Sequence, residues 1–237
     1  MSEAVPELVE RTEMTRRLNA ALSFDARTTA VITVDCHRGH LDPEIATMPV
    51  APEAAASVVG NTARLLDAAR AAGMSVIHVI LVNRLVDGEC EAMQNPFWRS
   101  VEEAREMLTP DRPSTISGHN LEGSPQTELM PQLGPAPGDV VLRTKRRLSI
   151  YRETELDRVL AERAIETVVL VGINTNTCVL CAAFESLNRD LQTIVVRDCV
   201  HSMYGDDLHF FGLQNVARCL GWVLTADEVV EKSSVRR

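Results

Sequence analysis

The sequence predicts an α/β protein in which a mostly parallel sheet is covered by helices on both faces. Apolar, β-branched runs alternate with segments of helical periodicity along most of the 237 residues. Their spacing suits the crossover helices that join parallel strands. With 45% hydrophobic and 24% charged residues, the composition is that of an ordinary globular protein with a substantial core.

Each element follows from a local pattern. Strands are predicted, in chain order, at 29–35, 74–83, 138–145, 165–173, 191–200 and, running into a terminal turn, 222–230. Helices are predicted at 7–22, 51–73, 98–108, 154–164, 177–190 and 205–221. Gly73 is a typical C-terminal cap for the helix over 51–73. The proline-rich segment 84–137 is otherwise irregular, and a long irregular segment in a compact domain is usually functional or mobile.

The chain divides into an N-terminal helical extension over 1–28, one domain over 29–231 and a disordered tail over 232–237. A net charge of −9 argues against nucleic acid or an anionic membrane as the partner. The start of the chain has no apolar segment typical of a secretory signal, and no run approaches the roughly 20 residues of a membrane helix. We therefore expect a cytoplasmic protein.

Six cysteines are present, and in a cytoplasmic protein of this size we expect them to stay reduced. Most should be small buried apolar residues. Cys178 and Cys181 form a CxxC motif, but no second CxxC or neighbouring histidine completes a zinc site. Neither zinc nor a redox pair is predicted there.

Three complementary residues stand at the carboxyl ends of predicted strands: Asp35, Lys145 and Cys178. Parallel strands bring such ends to one edge of the sheet, where ligands bind. Cys178 begins a helix, and the helix N-terminus together with Lys145 would favour its thiolate. Asp35 could take the thiol proton and return it to a leaving amine. Each residue alone also fits a structural role: a buried cysteine, an Asp cap and a lysine in a solvated "RTKRR" run.

The segment "VGINTNTCV", residues 171–179, resembles the nucleophile turn of the isochorismatase-like cysteine hydrolases, which include nicotinamidases, N-carbamoylsarcosine amidases and biuret or ureidoacrylate hydrolases. "AVITVDCH" matches the family's first strand, ending in its general-base aspartate at Asp35. "KRRLSIYRETELDRVL" matches the stretch opened by its lysine, at Lys145. The resemblance runs from about residue 28 to about residue 231.

The resemblance implies a three-layer fold with a six-stranded Rossmann-like sheet and an Asp35–Lys145–Cys178 catalytic triad. It implies a cis peptide at Ile173–Asn174 and an oxyanion hole formed by the backbone amides of Asn174 and Cys178. The implied reaction is hydrolysis of the C–N bond of a small amide, carbamoyl or ureido compound. The implied intermediate is a thioester on Cys178. Relatives form dimers or tetramers, so we expect a homo-oligomer, with the helix within 5–22 as a candidate interface.

The chain departs from the family after its first strand, where it reads "DCHRGHLDP". His37 and His40 invite comparison with the metal site of nicotinamidases, but the later histidine stretch of those enzymes is absent. Two histidines fall short of a ligand set, so we predict no metal and no cofactor. Either ring could instead donate a hydrogen bond to substrate, or serve as a solvated or capping residue.

The remaining candidate substrate contacts lie in or near the 84–137 segment, which we expect to cover the site: Phe97, Trp98, Arg99, His119 and, from the lysine stretch, Tyr151. An aromatic pair and a guanidinium can hold an apolar or anionic substrate. The structural alternative is that Phe97 and Trp98 anchor a long loop to the core.

Three other functions are weighed against amide hydrolysis. Family members that cleave the vinyl ether of isochorismate generally lack the cysteine, so Cys178 argues against that activity. A catalytically idle interaction module has no chemical reason to keep all three residues of the triad. A nucleotide-binding Rossmann protein is disfavoured because no GxGxxG follows the first strand.

Overall fold

The computed structural model describes residues 7–234 and contains one six-stranded sheet with helices on both faces. Its strands are β1 Thr29–Val34, β2 Ser75–Leu81, β5 Val140–Lys145, β6 Thr167–Ile173, β7 Gln192–His201 and β8 Trp222–Leu224, with a separate hairpin of β3 Leu85–Val86 and β4 Glu89–Cys90. The helices are α1 Thr12–Ala21, α2 Arg38–Leu41, α3 Pro52–Ala72, α4 Pro96–Glu103, α5 Arg105–Leu108, α6 Leu156–Glu162, α7 Leu180–Leu187, α8 Asp206–Asn215 and α9 Ala226–Ser234.

The strand order of the large sheet is β5-β2-β1-β6-β7-β8, and every neighbouring pair is parallel. The chain proceeds outward from β1 through β2 to β5 and then returns to the other side of β1 with β6. The direction of winding therefore reverses between β1 and β6, and ligands bind at such a reversal, outside the carboxyl ends of the strands.

Two apolar cores lie on the two faces of the sheet. On one face, Val31 of β1 belongs to the same cluster as Leu66 of α3 and Val229 of α9. On the other face, Ile32 of β1 belongs to the same cluster as Leu156 of α6. All six residues of β1 are buried, which explains its continuous apolar run. The predicted three-layer α/β fold is confirmed.

The end of the chain differs from the prediction, because the last strand stops at Leu224 and a helix follows. Thr225 and Glu228 form a reciprocal capping box: the Glu228 carboxylate accepts from the Thr225 N–H at 2.7 Å, and the Glu228 N–H donates to the Thr225 hydroxyl at 3.2 Å. This helix includes residues 232–234, which were predicted as disordered tail. Residues 235–237 of that tail lie outside the described residues.

The N-terminal segment packs along the edge of the sheet beside β8. The Asn19 amide donates to the Val223 carbonyl at 2.9 Å, and the Trp222 indole donates to the Leu18 carbonyl at 3.0 Å. Helix α1 is shorter than predicted, and the first six residues of the chain lie outside the described part. An otherwise open strand edge is thereby covered.

The segment over 84–137 contains the β3–β4 hairpin and short helices α4 and α5, where one helix over 98–108 was predicted. Asn95 caps α4 by accepting from the Phe97 N–H at 2.9 Å. The Glu102 carboxylate accepts from the Ile116 N–H at 2.7 Å and so ties α4 to the later part of the segment. Across the described residues, no helix is both long and apolar enough to cross a membrane.

Candidate active site

Asp35, Lys145 and Cys178 meet at the carboxyl edge of the sheet, and all three side chains are buried. The Lys145 ammonium donates to Asp35 Oδ2 at 2.6 Å and lies 3.3 Å from Cys178 Sγ. Lys145 is therefore the centre of the group. An acid, a cation and a thiol at these distances can exchange a proton and stabilise a developing negative charge.

The backbone holds Asp35 at the end of β1 in a left-handed conformation, with φ of 54°. Its N–H donates to the Val79 carbonyl at 2.9 Å, and its Oδ1 accepts from the Leu81 N–H at 2.8 Å. One carboxylate oxygen is therefore held by the end of β2, and the other remains for Lys145. Short-range sequence pattern does not reveal this arrangement, because its partners lie on neighbouring strands.

Gly172 permits the close approach of β6 to β1 beside the triad. A Cβ at this position would lie 2.0 Å from the Val34 carbonyl oxygen, and the residue has φ of +118°. The peptide bond one residue further along, Ile173–Asn174, is cis, as the family resemblance implied. The chain then enters a π-helical turn over Thr175–Val179, which carries Cys178.

We expect Gly172→Ala to lower the free energy of unfolding by at least about 2 kcal/mol, because both the contact and the backbone conformation exclude a side chain. Denaturant unfolding measures this change. Gly60→Ala in α3 is the matched control, because its Cβ would meet nothing within 4 Å. A helical Gly→Ala exchange of that kind should stabilise by roughly 0.5–1 kcal/mol. Equal stability of Gly172→Ala and the parent protein would contradict the proposed close packing.

The electrostatics of the triad differ from the prediction for Cys178. Burial raises the pKa of the Cys178 thiol to about 12, with Lys145 opposing and Asp35 adding to the rise. Burial alone would lower the pKa of Lys145, but the charges and hydrogen bonds of Asp35 and Cys178 together outweigh it, and the pKa is raised. The resting site thus holds a neutral thiol beside a Lys145–Asp35 ion pair. The prediction of a lowered thiol pKa was wrong because desolvation exceeds the opposing effect of Lys145.

A cavity opens onto Cys178 and is walled by both apolar and polar side chains. It is lined by His40, Met48, Leu81, Asn83, Ala92, Trp98, Ile116, His119, Arg146, Arg147, Leu148, Asn174, Thr177, Cys178 and Tyr204. The walls come from the strand ends, from the loop after β1 and from the 84–137 segment. A small molecule in this cavity would have its reacting atom beside the thiol.

Comparison of the sequence with protein families matches residues 29–228 to the isochorismatase domain. The chain belongs to the isochorismatase family. The ureidoacrylate amidohydrolase RutB of Caulobacter vibrioides is 31% identical over 86% of this chain and 90% of that protein.

Solved structures of the family share the fold. A cysteine hydrolase from Pseudomonas syringae pv. phaseolicola superposes with a TM-score of 0.71 at 24% identity, covering 90% of this chain and 95% of that one. N-carbamoylsarcosine amidase from Thermoplasma acidophilum gives 0.63 at 24% identity, covering 84% and 97%. At this identity the two likenesses concern the isochorismatase fold only.

Three of the seven predicted substrate contacts line the cavity of this isochorismatase family member: His40, Trp98 and His119. His37 does not, since it lies behind the cavity wall and its Nε2 is 2.6 Å from the Asn120 amide nitrogen. Asn174 and Cys178, the predicted oxyanion residues, both line it.

The other three predicted contacts lie elsewhere. Phe97 is 65% exposed and touches its neighbour Trp98 edge-on. Arg99 is paired with Glu89 at 2.6 Å. Tyr151 is buried in the core, where its hydroxyl lies 2.8 Å from the Ser186 hydroxyl. Of the three candidates on α4, only Trp98 lines the cavity, a distinction that depends on how the helix packs rather than on its composition.

Five polar or aromatic residues that line the cavity were not among the sequence candidates: Asn83, Arg146, Arg147, Thr177 and Tyr204. The two arginines directly follow Lys145, and this adjacency was the available signal. The structural alternative predicted for this stretch is a solvated charge run. Tyr204 follows β7 at the same carboxyl edge as the triad, so its position in the chain was also informative.

His37, His40 and His119 form a buried cluster next to the cavity, with candidate ligand atoms within 4.8 Å of one another. The cluster does not suit one shared metal ion. A metal lies in the plane of each imidazole ligand, but the His37 and His40 rings are stacked, with 4.8 Å between centroids and 20° between planes. Two nitrogen ligands of one zinc ion lie at most about 4.2 Å apart, twice the Zn–N distance of about 2.1 Å, so ligand atoms up to 4.8 Å apart would have to move closer to share it.

We expect the stability of the protein to fall as the pH drops below about 6.5. Burial lowers the pKa of His37, His40 and His119, so these rings stay neutral in the folded state while the unfolded chain takes up protons. Each such ring lowers the free energy of unfolding by up to about 1.4 kcal/mol for each pH unit below about 6.5. Urea unfolding at about pH 7.5 and about pH 5.5 measures the slope. His119→Gln should flatten it, and an unchanged slope in that variant would contradict the assignment.

Proposed function

We propose that this isochorismatase family member hydrolyses the C–N bond of a small amide, carbamoyl or ureido compound through a thioester on Cys178. The observation that carries the proposal is the position of Lys145, 2.6 Å from Asp35 and 3.3 Å from Cys178. Of the three, Cys178 lines a cavity that can admit a small molecule, and the side chains of Lys145 and Asp35 are fully buried next to it. Cysteine, acid and cation are the set that nucleophilic acyl transfer requires.

The first half of the reaction forms the thioester. Cys178 rests as a thiol, so Asp35 takes its proton as the sulfur attacks the substrate carbonyl carbon. The Lys145 ammonium offsets the negative charge of the sulfur. The backbone N–H groups of Asn174 and Cys178 hold the oxyanion of the tetrahedral intermediate. Asp35 then passes the proton to the substrate nitrogen, the C–N bond breaks, and ammonia or an amine leaves.

The second half regenerates the enzyme. A water molecule attacks the thioester carbonyl while Asp35 takes one of its protons. The new tetrahedral intermediate collapses, the C–S bond breaks, and the proton returns to the sulfur of Cys178. The carboxylic, carbamic or ureido acid product leaves the cavity. His40, His119 and Trp98 act as the substrate contacts in this scheme.

The names of relatives support the same reaction class. The relative from Caulobacter vibrioides is named an amidohydrolase of ureidoacrylate, and a structural neighbour is named N-carbamoylsarcosine amidase. Both names describe hydrolysis at a carbamoyl or ureido nitrogen. Vinyl-ether hydrolysis of the isochorismatase type and an idle interaction module remain the alternatives, and the buried ion pair beside a thiol favours neither.

The test is ammonia release from a panel of nicotinamide, biuret, N-carbamoylsarcosine, maleamate, ureidoacrylate and simple aryl amides. We expect release from at least one carbamoyl, ureido or linear amide compound. Isochorismate is the comparison substrate for the vinyl-ether alternative. Turnover of isochorismate with silence across all amides would overturn the proposal.

We expect activity to be unchanged after treatment with EDTA, because the stacked histidine rings do not suit a metal ion. Ammonia release is measured before and after chelation and dialysis, with metal content determined on the same samples. A loss of activity that zinc restores would instead assign a metal to His37, His40 and His119.

Assembly and location stay predictions. A homodimer or homotetramer is proposed, and the exposed aromatic residues Phe210 and Phe211 of α8, at 40% and 44% exposure, are a second candidate interface beside α1. Light scattering measures the oligomer. A cytoplasmic location is likewise proposed.

A further inference from the structure

Two arginines stand at the mouth of the cavity that contains Cys178. Arg146 and Arg147 directly follow the triad lysine, line that cavity and also line an adjoining one. We call them the mouth arginines. Arg84 and Arg152 line the adjoining cavity beside them. A positive cluster of this kind is unusual for a chain of net charge −9.

The counter-charge at the mouth is small. Glu91 is the acidic group shared by three guanidiniums, at 4.0 Å from Arg84, 3.9 Å from Arg146 and 3.9 Å from Arg147. Hydrogen bonds between such groups are normally shorter than about 3 Å. Three cations and one carboxylate leave a local charge of +2. Arg152 has a separate partner, Glu153, at 3.3 Å.

The mouth arginines also keep unused donors. Arg146 Nη1 donates to the Val82 carbonyl at 2.5 Å, but its buried Nε has no hydrogen-bond partner. The Arg147 contacts are backbone carbonyls, with Nη1 donating to Arg146 at 2.7 Å and Nη2 reaching Glu91 at 3.5 Å. A guanidinium has five N–H donors and favours a carboxylate as a two-point partner.

Apolar side chains next to these donors would strengthen their interaction with an anion. Leu148, Trp98 and Ile116 line the same cavity and exclude water from part of it. An anion held between guanidiniums and apolar walls interacts more strongly than it does in open solvent. The excess positive charge also steers anions toward the opening on an otherwise acidic surface. A neutral amide would gain neither the charge-assisted hydrogen bonds nor the electrostatic steering.

We propose that the substrate is itself an anion: an amide or ureido acid whose carboxylate is bound by Arg146 and Arg147 while its scissile carbonyl lies at Cys178. This inference rests on the proposed function and specifies its substrate class. The alternative is that the arginines only neutralise Glu91 and stabilise the hairpin. Under that alternative, acids and their neutral analogues are bound equally.

The test compares matched pairs that differ only in the distal group: succinamate against succinamide, and maleamate against maleamide. Binding is measured by titration calorimetry on Cys178→Ala, so that turnover does not interfere. We expect each acid to bind at least about 10-fold more tightly than its diamide, from charge-assisted hydrogen bonds. The preference should weaken at high salt, since the arginines are partly exposed.

Arg147→Gln in the same background should weaken acid binding by about 10- to 100-fold and change diamide binding little. Arg147→Lys should restore part of the preference. Arg146→Gln is the second variant, and Arg99→Gln, whose guanidinium lies outside the cavity, is the control. Thermal unfolding of each variant checks the fold. A purely structural role would lower stability without changing the ratio of acid to diamide affinity.

The outcomes separate this inference from the proposed function. Equal binding of acid and diamide, binding of neither, or an acid preference that survives both arginine variants overturns the inference. Selective acid binding that depends on Arg147, with no ammonia released by the unaltered enzyme, supports the carboxylate site and counts against amide hydrolysis. Ammonia release at equal kcat/KM from acids and diamides leaves the function standing and overturns the anionic substrate.

Discussion

Cys178→Ala is expected to reduce ammonia release by about 10⁴- to 10⁶-fold, the scale on which loss of a nucleophile acts in other hydrolases. The residual rate would come from the Lys145 charge and from substrate positioning alone. The fold should survive, because the change removes a single sulfur atom from a side chain that is 5% exposed. The cost in stability should be near the low end for core substitutions, about 1 kcal/mol.

The measurement is kcat/KM on the best substrate of the panel, with thermal unfolding run on the same preparation. Cys181→Ala is the matched control: it lies one turn further along the chain, in the same CVLC motif, with its thiol 3.7 Å from Glu185. It should keep nearly full activity. An active Cys178→Ala, or a Cys181→Ala variant that is equally impaired, would remove the nucleophile assignment.

Lys145→Met is expected to lower the free energy of unfolding by about 3–5 kcal/mol, as well as to abolish activity. Lys145 is the largest fully buried side chain among the described residues. Its ammonium is 2.6 Å from the equally buried Asp35. Methionine matches the length of lysine, so packing is largely kept. What remains is a buried carboxylate without its counter-charge, and that imbalance is the source of the loss.

Denaturant unfolding of Lys145→Met, Asp35→Asn and the double variant tests this reasoning as a cycle. The double variant should lose less free energy of unfolding than the two single variants lose together, because neither buried charge then remains without its partner. Lys232→Met is the control, since Lys232 is the other lysine of the chain and donates to the Leu22 carbonyl near the surface. Strictly additive losses would mean that the two charges do not depend on each other.

Local pattern predicted most of the fold. All six strands were found because a buried parallel strand is a continuous β-branched run, as in β1. The prediction that the last strand extends to residue 230 was wrong, because the spacing of its apolar residues suits either a strand or a helix. The Thr225–Glu228 capping box marks the start of a helix and was not used in the prediction. The capping signal is local and was available in the sequence.

The candidate site was predictable where it depends on strand ends and less so where it depends on packing. Trp98 and Phe97 are adjacent on α4, and only the first lines the cavity. Tyr151 occupies a family motif position but is part of the core. His119 joins His40 at the wall although 79 residues separate them in the chain. Adjacency in sequence was therefore not sufficient to predict which of these side chains line the site.

By itself, the sequence determined the order of strands and helices and the placing of Asp35, Lys145 and Cys178 at strand ends, because hydrophobic periodicity and topology follow from local residue choice. Only the tertiary structure decided the charge state of the thiol, the members of the cavity wall and the grouping of the mouth arginines around Glu91. These depend on burial and on distances between segments far apart in the chain. Desolvation outweighs the charge of Lys145 at Cys178 because the whole protein, not the neighbours of the thiol in sequence, excludes the water.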